Sequence, residues 1–250
     1  MIHNKIYIFG KPSVTYHNIP LHYDIMVIPY PQAIDYKNIT DRMDFTGVLM
    51  DMGTGTFEPI FLRKLPIFQK IFNVFLPNRA EINKMLDLQF LIEGRYLSFW
   101  FTTMEEDFRP VGYAPFHVPD EFEIYKYEAG MQYFYSLNWG QKSIEDVYKQ
   151  RMVAIVYDGF SKIHFNRISS IEIQLDYRVL KVNLDYPMPE IIVSDIDVIT
   201  TFLYVRSNRE DITFNFVTSD IAYVTLDLVE DYKNYYNPFT ESPKIYPEGV

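Results

Sequence analysis

Alternation of apolar and polar positions is clearest between residues 171 and 185. Ile171, Ile173 and Leu175 alternate with Glu172, Gln174 and Asp176, and Leu180, Val182 and Leu184 alternate with Lys181, Asn183 and Asp185. A period of two predicts an antiparallel hairpin with one wet face. Phe214 and Phe216, then Val224, Leu226 and Leu228, continue the same period. The apolar runs at 195–206 and 219–235 fit either helix or strand, because short runs do not separate the two periods. The first fifty residues break into strand-like pieces at 5–9, 13–17, 21–29 and 45–51, cut by Pro12, Pro20, Pro29 and Pro31. Proline cannot donate to a strand ladder, so these pieces are expected to lie at edges or to end there.

Between 66 and 86 the period lengthens. Ile67, Ile71, Val74 and Phe75 recur at helical spacing, with Pro66 at a first turn and Pro77 closing the run, which predicts a helix. A second short helix is expected from Asn78 and Glu81 at capping-box spacing, with Ile82, Met85 and Leu86 as its apolar stripe. Residues 87–92 and 96–103 then predict a hairpin around Glu93-Gly94-Arg95, its second strand rich in rings (Tyr96, Phe99, Trp100, Phe101) and buried on both faces. A proline-bearing loop at 105–120 leads to strands near 121–127 and 131–137. Ser143 caps a short helix to Gln150, with Ile144, Val147 and Tyr148 on one face. From Asn237 onward, Pro238, Pro243 and Pro247 predict an extended tail that frays or docks on a neighbour.

These elements define a mainly β fold, α+β at the margin, built of antiparallel sheets or a sandwich with a few short helices. A boundary at 138–142 is expected to divide a strand-rich domain (1–140, with short helices near 66–86) from an antiparallel β domain (141–250) ending in the tail, a single domain being the alternative.

Composition narrows the function classes. The chain has 250 residues, 48% hydrophobic and 22% charged, ordinary globular usage that excludes a disordered or collagen-like chain. The formal charge of -10 opposes a phosphate backbone, so nucleic acid is not expected as a partner. No apolar run approaches the roughly 20 residues of a spanning helix, and the opening residues are too briefly apolar for a signal peptide, so no membrane is expected. With no cysteine there is no disulfide, thiolate nucleophile or zinc ribbon. Aromatic residues reach 17%, with 21 Tyr and 20 Phe, which suits a β-rich core and also protein contact surfaces.

The most enzyme-like string is Val48-Leu49-Met50-Asp51-Met52-Gly53-Thr54-Gly55-Thr56-Phe57. It resembles the first motif of S-adenosylmethionine-dependent methyltransferases, which implies a cofactor loop carried by Asp51, Gly53 and Gly55. Such a loop needs a strand leading into a helix. Phe57 stands in the third glycine's place, and Pro59 and the extended 57–63 favour a glycine-rich hairpin turn instead. Asn237-Pro238-Phe239 is faintly similar to that family's substrate motif. Of the five histidines, His17 and His22 are spaced for neither a strand nor a helix metal pair. Glu105-Glu106-Asp107, and Asp195 with Asp197, are carboxylate groups of the kind that hold hard cations, but such groups in loops are usually solvated surface. No catalytic residue, cofactor or metal is therefore assigned.

The opening strand ending at Gly10, the stretch Arg42-Met43-Asp44-Phe45-Thr46-Gly47-Val48, the helix at 80–86, Leu97-Ser98-Phe99-Trp100 and the aromatic strands to 137 follow one another in an order similar to the distal tail protein family of long-tailed bacteriophages. The resemblance implies a subunit that forms a ring by pairing β-elements of neighbouring copies, followed by a carboxy-terminal β-sandwich. The expectation is a non-enzymatic, homo-oligomeric structural protein such as a phage tail or collar ring subunit, assembled in host cytoplasm with other proteins of the same particle. Strand edges in the first fifty residues, the 105–120 loop and the 237–250 tail are the expected contacts. The alternatives are the methyltransferase and an acidic adaptor that binds a protein partner.

Overall fold

The computed structural model describes residues 4–11, 13–44, 47–51, 57–61, 67–93, 96–111, 124–138, 148–174, 179–209, 211–231 and 237–241. In chain order the described elements begin with strands β1 (Lys5–Phe9), β2 (Thr15–His17), β3 (Ile25–Pro29), β4 (Ile34–Asp44), β5 (Gly47–Asp51), β6 (Phe57–Phe61) and β7 (Ile67–Leu76). Helix α1 (Arg79–Leu91) follows, then β8 (Phe99–Phe101), β9 (Lys126–Tyr127), β10 (Tyr133–Leu137), β11 (Met152–Tyr157), β12 (Lys162–Gln174) and β13 (Val179–Leu184). The last are β14 (Ile191–Ile192), β15 (Ile196–Thr201), β16 (Leu203–Ser207), β17 (Phe214–Phe216) and β18 (Ala222–Glu230). The fold is mainly β, and both ambiguous runs are resolved as strand rather than α-helix, the first as β15 and β16 and the second as β18.

The chain divides into two units, and each is discontinuous. Unit 1 takes Met1–Ala33, Phe99–Leu203 and Tyr236–Val250; unit 2 takes Ile34–Ser98 and Tyr204–Tyr235. A single cut at 138–142 does not describe this division. The reason is long-range pairing: β18 returns to β7 in an antiparallel ladder from Ala222↔Leu76 to Val229↔Gln69, so residues 204–235 belong with the 34–98 segment.

In unit 2, β7 lies between β4 and β18, and β17 also pairs with β18. Phe72, Val74 and Leu76 of β7 and Ala222, Val224, Leu226 and Leu228 of β18 are buried at period two. This corrects the helix expected at 66–77. Its apolar residues satisfy both periods, and the β-branched and aromatic run Ile67, Phe68, Ile71, Phe72, Val74, Phe75 favours the pleated strand. The capped helix does form. The Asn78 side chain accepts the Glu81 N–H at 3.0 Å, and α1 packs on β7 with Ile82, Met85 and Leu88 buried. It runs on to Leu91, so residues 87–91 are helix where a strand was expected. Leu88, Gln89 and Leu91 are good helix formers, and Leu88 completes the buried stripe in place of Leu86.

Unit 1 contains the parallel set β1–β3–β8 and a sheet ordered β10–β13–β12–β11–β15, with β2 added parallel to β12. Met152 to Tyr157 are all buried, as a central strand between β12 and β15 requires. The hairpin read at 171–184 is present, with Ile171↔Val182 and Glu172↔Lys181 as cross-strand pairs. β12 is long because it serves three ladders: residues 162–167 pair with β11 and 162–164 with β2, and from Ile168 onward, with an irregularity between Ile168 and Ser170, the strand pairs with β13. Phe99, Trp100 and Phe101 are all buried, the two-faced burial expected of that strand. The short helix expected at 143–150 lies largely outside the described residues.

Candidate assembly surface and buried polar clusters

The edges of four described strands are candidate assembly surfaces. β1 pairs with β3 alone and β4 with β7 alone among the described strands. The β4 ladder is interrupted between Asp35 and Thr40, and beyond the break the exposed residues are Thr40, Asp41 and Arg42, with Asp41 held by Lys70 at 3.0 Å. Irregularity and charge blunt a sheet edge against further pairing. β5 and β6 are different. They form a separate two-stranded ladder, Gly47↔Phe61 to Asp51↔Phe57, and pair with no other described strand. Their sequences, Gly-Val-Leu-Met-Asp and Phe-Glu-Pro-Ile-Phe, hold two charged residues in ten.

That hairpin contains the string read as a cofactor loop. Asp51 ends β5 and is paired with Phe57; Gly53 and Gly55 lie outside the described residues. The strand that follows is antiparallel β6, whereas the cofactor motif requires a helix there. Pro238 and Phe239 of the second methyltransferase-like triplet dock on their own unit: the Pro238 carbonyl accepts the His22 N–H at 2.9 Å, and the Phe239 ring lies 4.6 Å from that of Tyr186. The described part of the expected docking tail thus packs within the chain, and residues 242–250 are outside the described set.

Of the carboxylates singled out in the sequence, Asp107 is an internal tie. Its Oδ2 accepts the Thr201 N–H at 2.6 Å and the Thr201 hydroxyl at 2.8 Å, while Oδ1 accepts from Tyr148 at 3.3 Å. Thr200 extends the network to Thr102 at 2.7 Å. Burial, then the nearby Asp107 charge, raises the Tyr148 phenol above its ordinary pKa. The described start of the 105–120 loop is thereby fastened to β15. Asp197 accepts the Phe160 N–H at 2.6 Å. This fixes a turn in which Asp158, Gly159 and Phe160 all have φ near 60° (60, 62 and 59). Lys11 donates to the Gly159 carbonyl at 2.6 Å and sits over the Tyr30 and Phe160 rings. Asp195 is exposed.

Sequence spacing missed one pair. His17 on β2 is the register partner of His164 on β12; only the parallel pairing of distant strands reveals it. His164 is buried. The Asn166 Oδ1 accepts from Arg167 and Tyr186, so its amide NH2 faces His164 Nε2 at 3.3 Å. Nε2 is then the acceptor and the proton rests on Nδ1, which has no hydrogen-bond partner among the described residues. Burial, then the charge of His17, lowers the His164 pKa to about 4. Among the described residues no three His, Asp or Glu side chains are grouped to hold a metal ion, and no helix is long and apolar enough to cross a membrane.

Fold and site together define a two-unit, mainly β protein with a separate apolar hairpin in unit 2 and hydrogen-bonded polar clusters in unit 1. No protein-family model matches the chain, and no curated protein matches it.

Proposed function

We propose that the chain is a non-enzymatic, self-assembling structural subunit of a viral particle, a ring component of the tail or collar kind, and that the β5–β6 hairpin makes its ring contact. The observation that carries this reading is the hairpin's pairing. An isolated two-stranded hairpin is marginal in water, and a third strand with an apolar face stabilises it. Among the described strands none supplies that third strand. A neighbouring copy would supply it by adding a sheet edge to one of the two open hairpin edges, since unpaired N–H and C=O rows are templates for strand addition. The arrangement is head-to-tail and closes into a ring when the rotation between copies permits. The resemblance to the distal tail proteins supports the same reading, and assembly would take place in host cytoplasm beside other proteins of the particle.

Light scattering of the full-length chain across a wide concentration range tests it. Discrete oligomers are expected, and they should be lost when residues 47–61 are replaced by a short Gly-Ser turn that leaves the circular dichroism and melting of the rest unchanged. A strict monomer at high concentration, or oligomers indifferent to the replacement, would count against the proposal.

A further inference from the structure

Between β1 and β3 the chain makes an excursion that lays β2 along β12 in a short parallel ladder. Its base is closed without it: the Asp24 carbonyl accepts the Lys5 N–H at 2.9 Å, and β1 pairs with β3 from Lys5↔Ile25 to Phe9↔Pro29. Beyond the ladder the excursion is tied by single hydrogen bonds. The Thr15 N–H donates to the Ser161 carbonyl at 2.9 Å, the Asn18 amide to the Phe165 carbonyl at 2.8 Å, and the His22 N–H to the Pro238 carbonyl at 2.9 Å. Tyr16 stacks on Phe165 and is half-buried. Of residues 13–22 only Pro20 is buried, and Leu21 is 71% exposed. Few buried apolar contacts place a segment among the first parts of a fold to open.

The strand that carries this excursion also carries buried His164. Across its ladders His164 meets His17 of β2 and the apolar Ile155 of β11. Two positions along its own strand, on either side, are Lys162, bonded to Asp158 at 2.9 Å, and neutral Asn166. Tyr157 lies against His17 and under the Lys162 ammonium, and Arg167 holds Asp185 at 2.8 Å. Both carboxylates of this group already hold a cation, and the charge that acts on His164 is that of His17. An imidazolium donates at both nitrogens, so protonation takes the acceptor from the Asn166 amide and sets a buried cation beside His17. Asn166 in turn bonds the Tyr186 carbonyl at 2.8 Å and its N–H at 3.1 Å, and the Tyr186 ring packs on Phe239, next to the carbonyl that holds His22. The disturbance therefore reaches both ends of the excursion.

We propose that residues 13–22 are an acid-released strap: protonation of His164 lifts β2 from β12, which gives the imidazolium water, parts it from His17 and opens the β12 edge over Lys162–His164 to another strand. β11 cannot take this part, because it is paired on both sides, by β12 and β15. The release leaves β1, β3 and the rest of the sheet in place, and it is independent of the β5–β6 ring contact.

Hydrogen–deuterium exchange of the full-length chain at pH 7.5 and pH 5, corrected for the intrinsic rate at each pH, tests it. With a pKa of about 4 under the strap against 6.5 once exposed, opening becomes about 30-fold more frequent at the lower pH. Amides of residues 15–17 should lose protection by that factor, and equally with or without roughly 1 M urea, since lifting a strap exposes little new surface. The β11 amides open only with the unit, so they should stay better protected than the strap at both pH values and exchange faster in urea. His164→Gln cannot titrate and should remove the pH effect on the strap. Three results would overturn the proposal: strap protection that is the same at both pH values, a strap that exchanges only together with β11 and with the same urea dependence, or a pH effect that persists in His164→Gln. The first two are read on the wild type and do not depend on the variant folding.

Discussion

His164 gives unit 1 a pH-dependent stability whose size can be worked out. The side chain is 3% exposed, and its neutral form is favoured because burial disfavours the imidazolium. Its pKa is about 4 in the folded chain against 6.5 in the unfolded one. For a base whose folded pKa is depressed, the unfolded state binds more protons as pH falls below 6.5. Stability is therefore fully present above about pH 6.5, declines as pH falls towards 4, and is constant below that. At about 1.4 kcal/mol per pH unit the loss reaches at most about 3 kcal/mol, and about 2 kcal/mol of it has occurred by pH 5. The interval between pH 7.5 and 5 is the informative one, because most carboxylates remain ionised there.

The perturbation is His164→Gln, which keeps an acceptor for the Asn166 amide and cannot titrate. Both tryptophans, Trp100 and Trp139, belong to unit 1, so urea unfolding followed by tryptophan fluorescence reports the unit that holds His164. The wild type should lose about 2 kcal/mol more than the variant between pH 7.5 and pH 5. Equal losses in the two proteins would refute the reasoning. So would an imidazole resonance of His164 that titrates near 6.5 in the folded chain.

The remaining predictions concern packing and the loop tie in unit 1. Trp100 is fully buried on β8, so Trp100→Ala should cost roughly 3–5 kcal/mol in urea unfolding followed by far-UV circular dichroism; a variant that keeps wild-type stability would remove Trp100 from the core. Asp107→Ala strips the acceptor from the Thr201 N–H and hydroxyl, both within 2.8 Å of Oδ2, and should cost about 2–3 kcal/mol on the same assay. Asp107→Asn keeps the shape and one acceptor oxygen and should recover part of that loss.

The strands were legible in the sequence where one face is wet. In β13 the alternation holds, with Leu180, Val182 and Leu184 buried and Lys181 and Asn183 on the wet side; in β12 it holds at Ile171 and Glu172 and fails at Ile173, which is exposed. It failed where polar markers are sparse. In β7 the apolar residues satisfy two periods at once, and what separates them is the ladder with β18, more than 140 residues away in the chain. The Asn78–Glu81 cap was legible because it is entirely local, but the end of α1 was not, since Glu93 holds a left-handed conformation without being glycine. The His17–His164 pair and the Asp107 tie have no local signal. Each is made by segments more than 90 residues apart, and neither periodicity nor motif spacing encodes such a meeting.

The proposed ring contact comes from a failure of local consistency. A sequence that specifies one fold has propensity, pattern and electrostatics agreeing at each element, and departures gather where something other than folding is being served. Asp107, Asp197 and Asn166 in unit 1 do not depart in this way, each having donors or acceptors supplied from within the chain; buried His164 does, its Nδ1 having no hydrogen-bond partner among the described residues. β5–β6 departs through backbone hydrogen bonding, with two edges that no other described strand pairs on a ribbon of apolar sequence. A strand edge added to that ribbon would pair the rows of N–H and C=O groups that the described strands leave unpaired, which is the physical ground of the proposed ring contact.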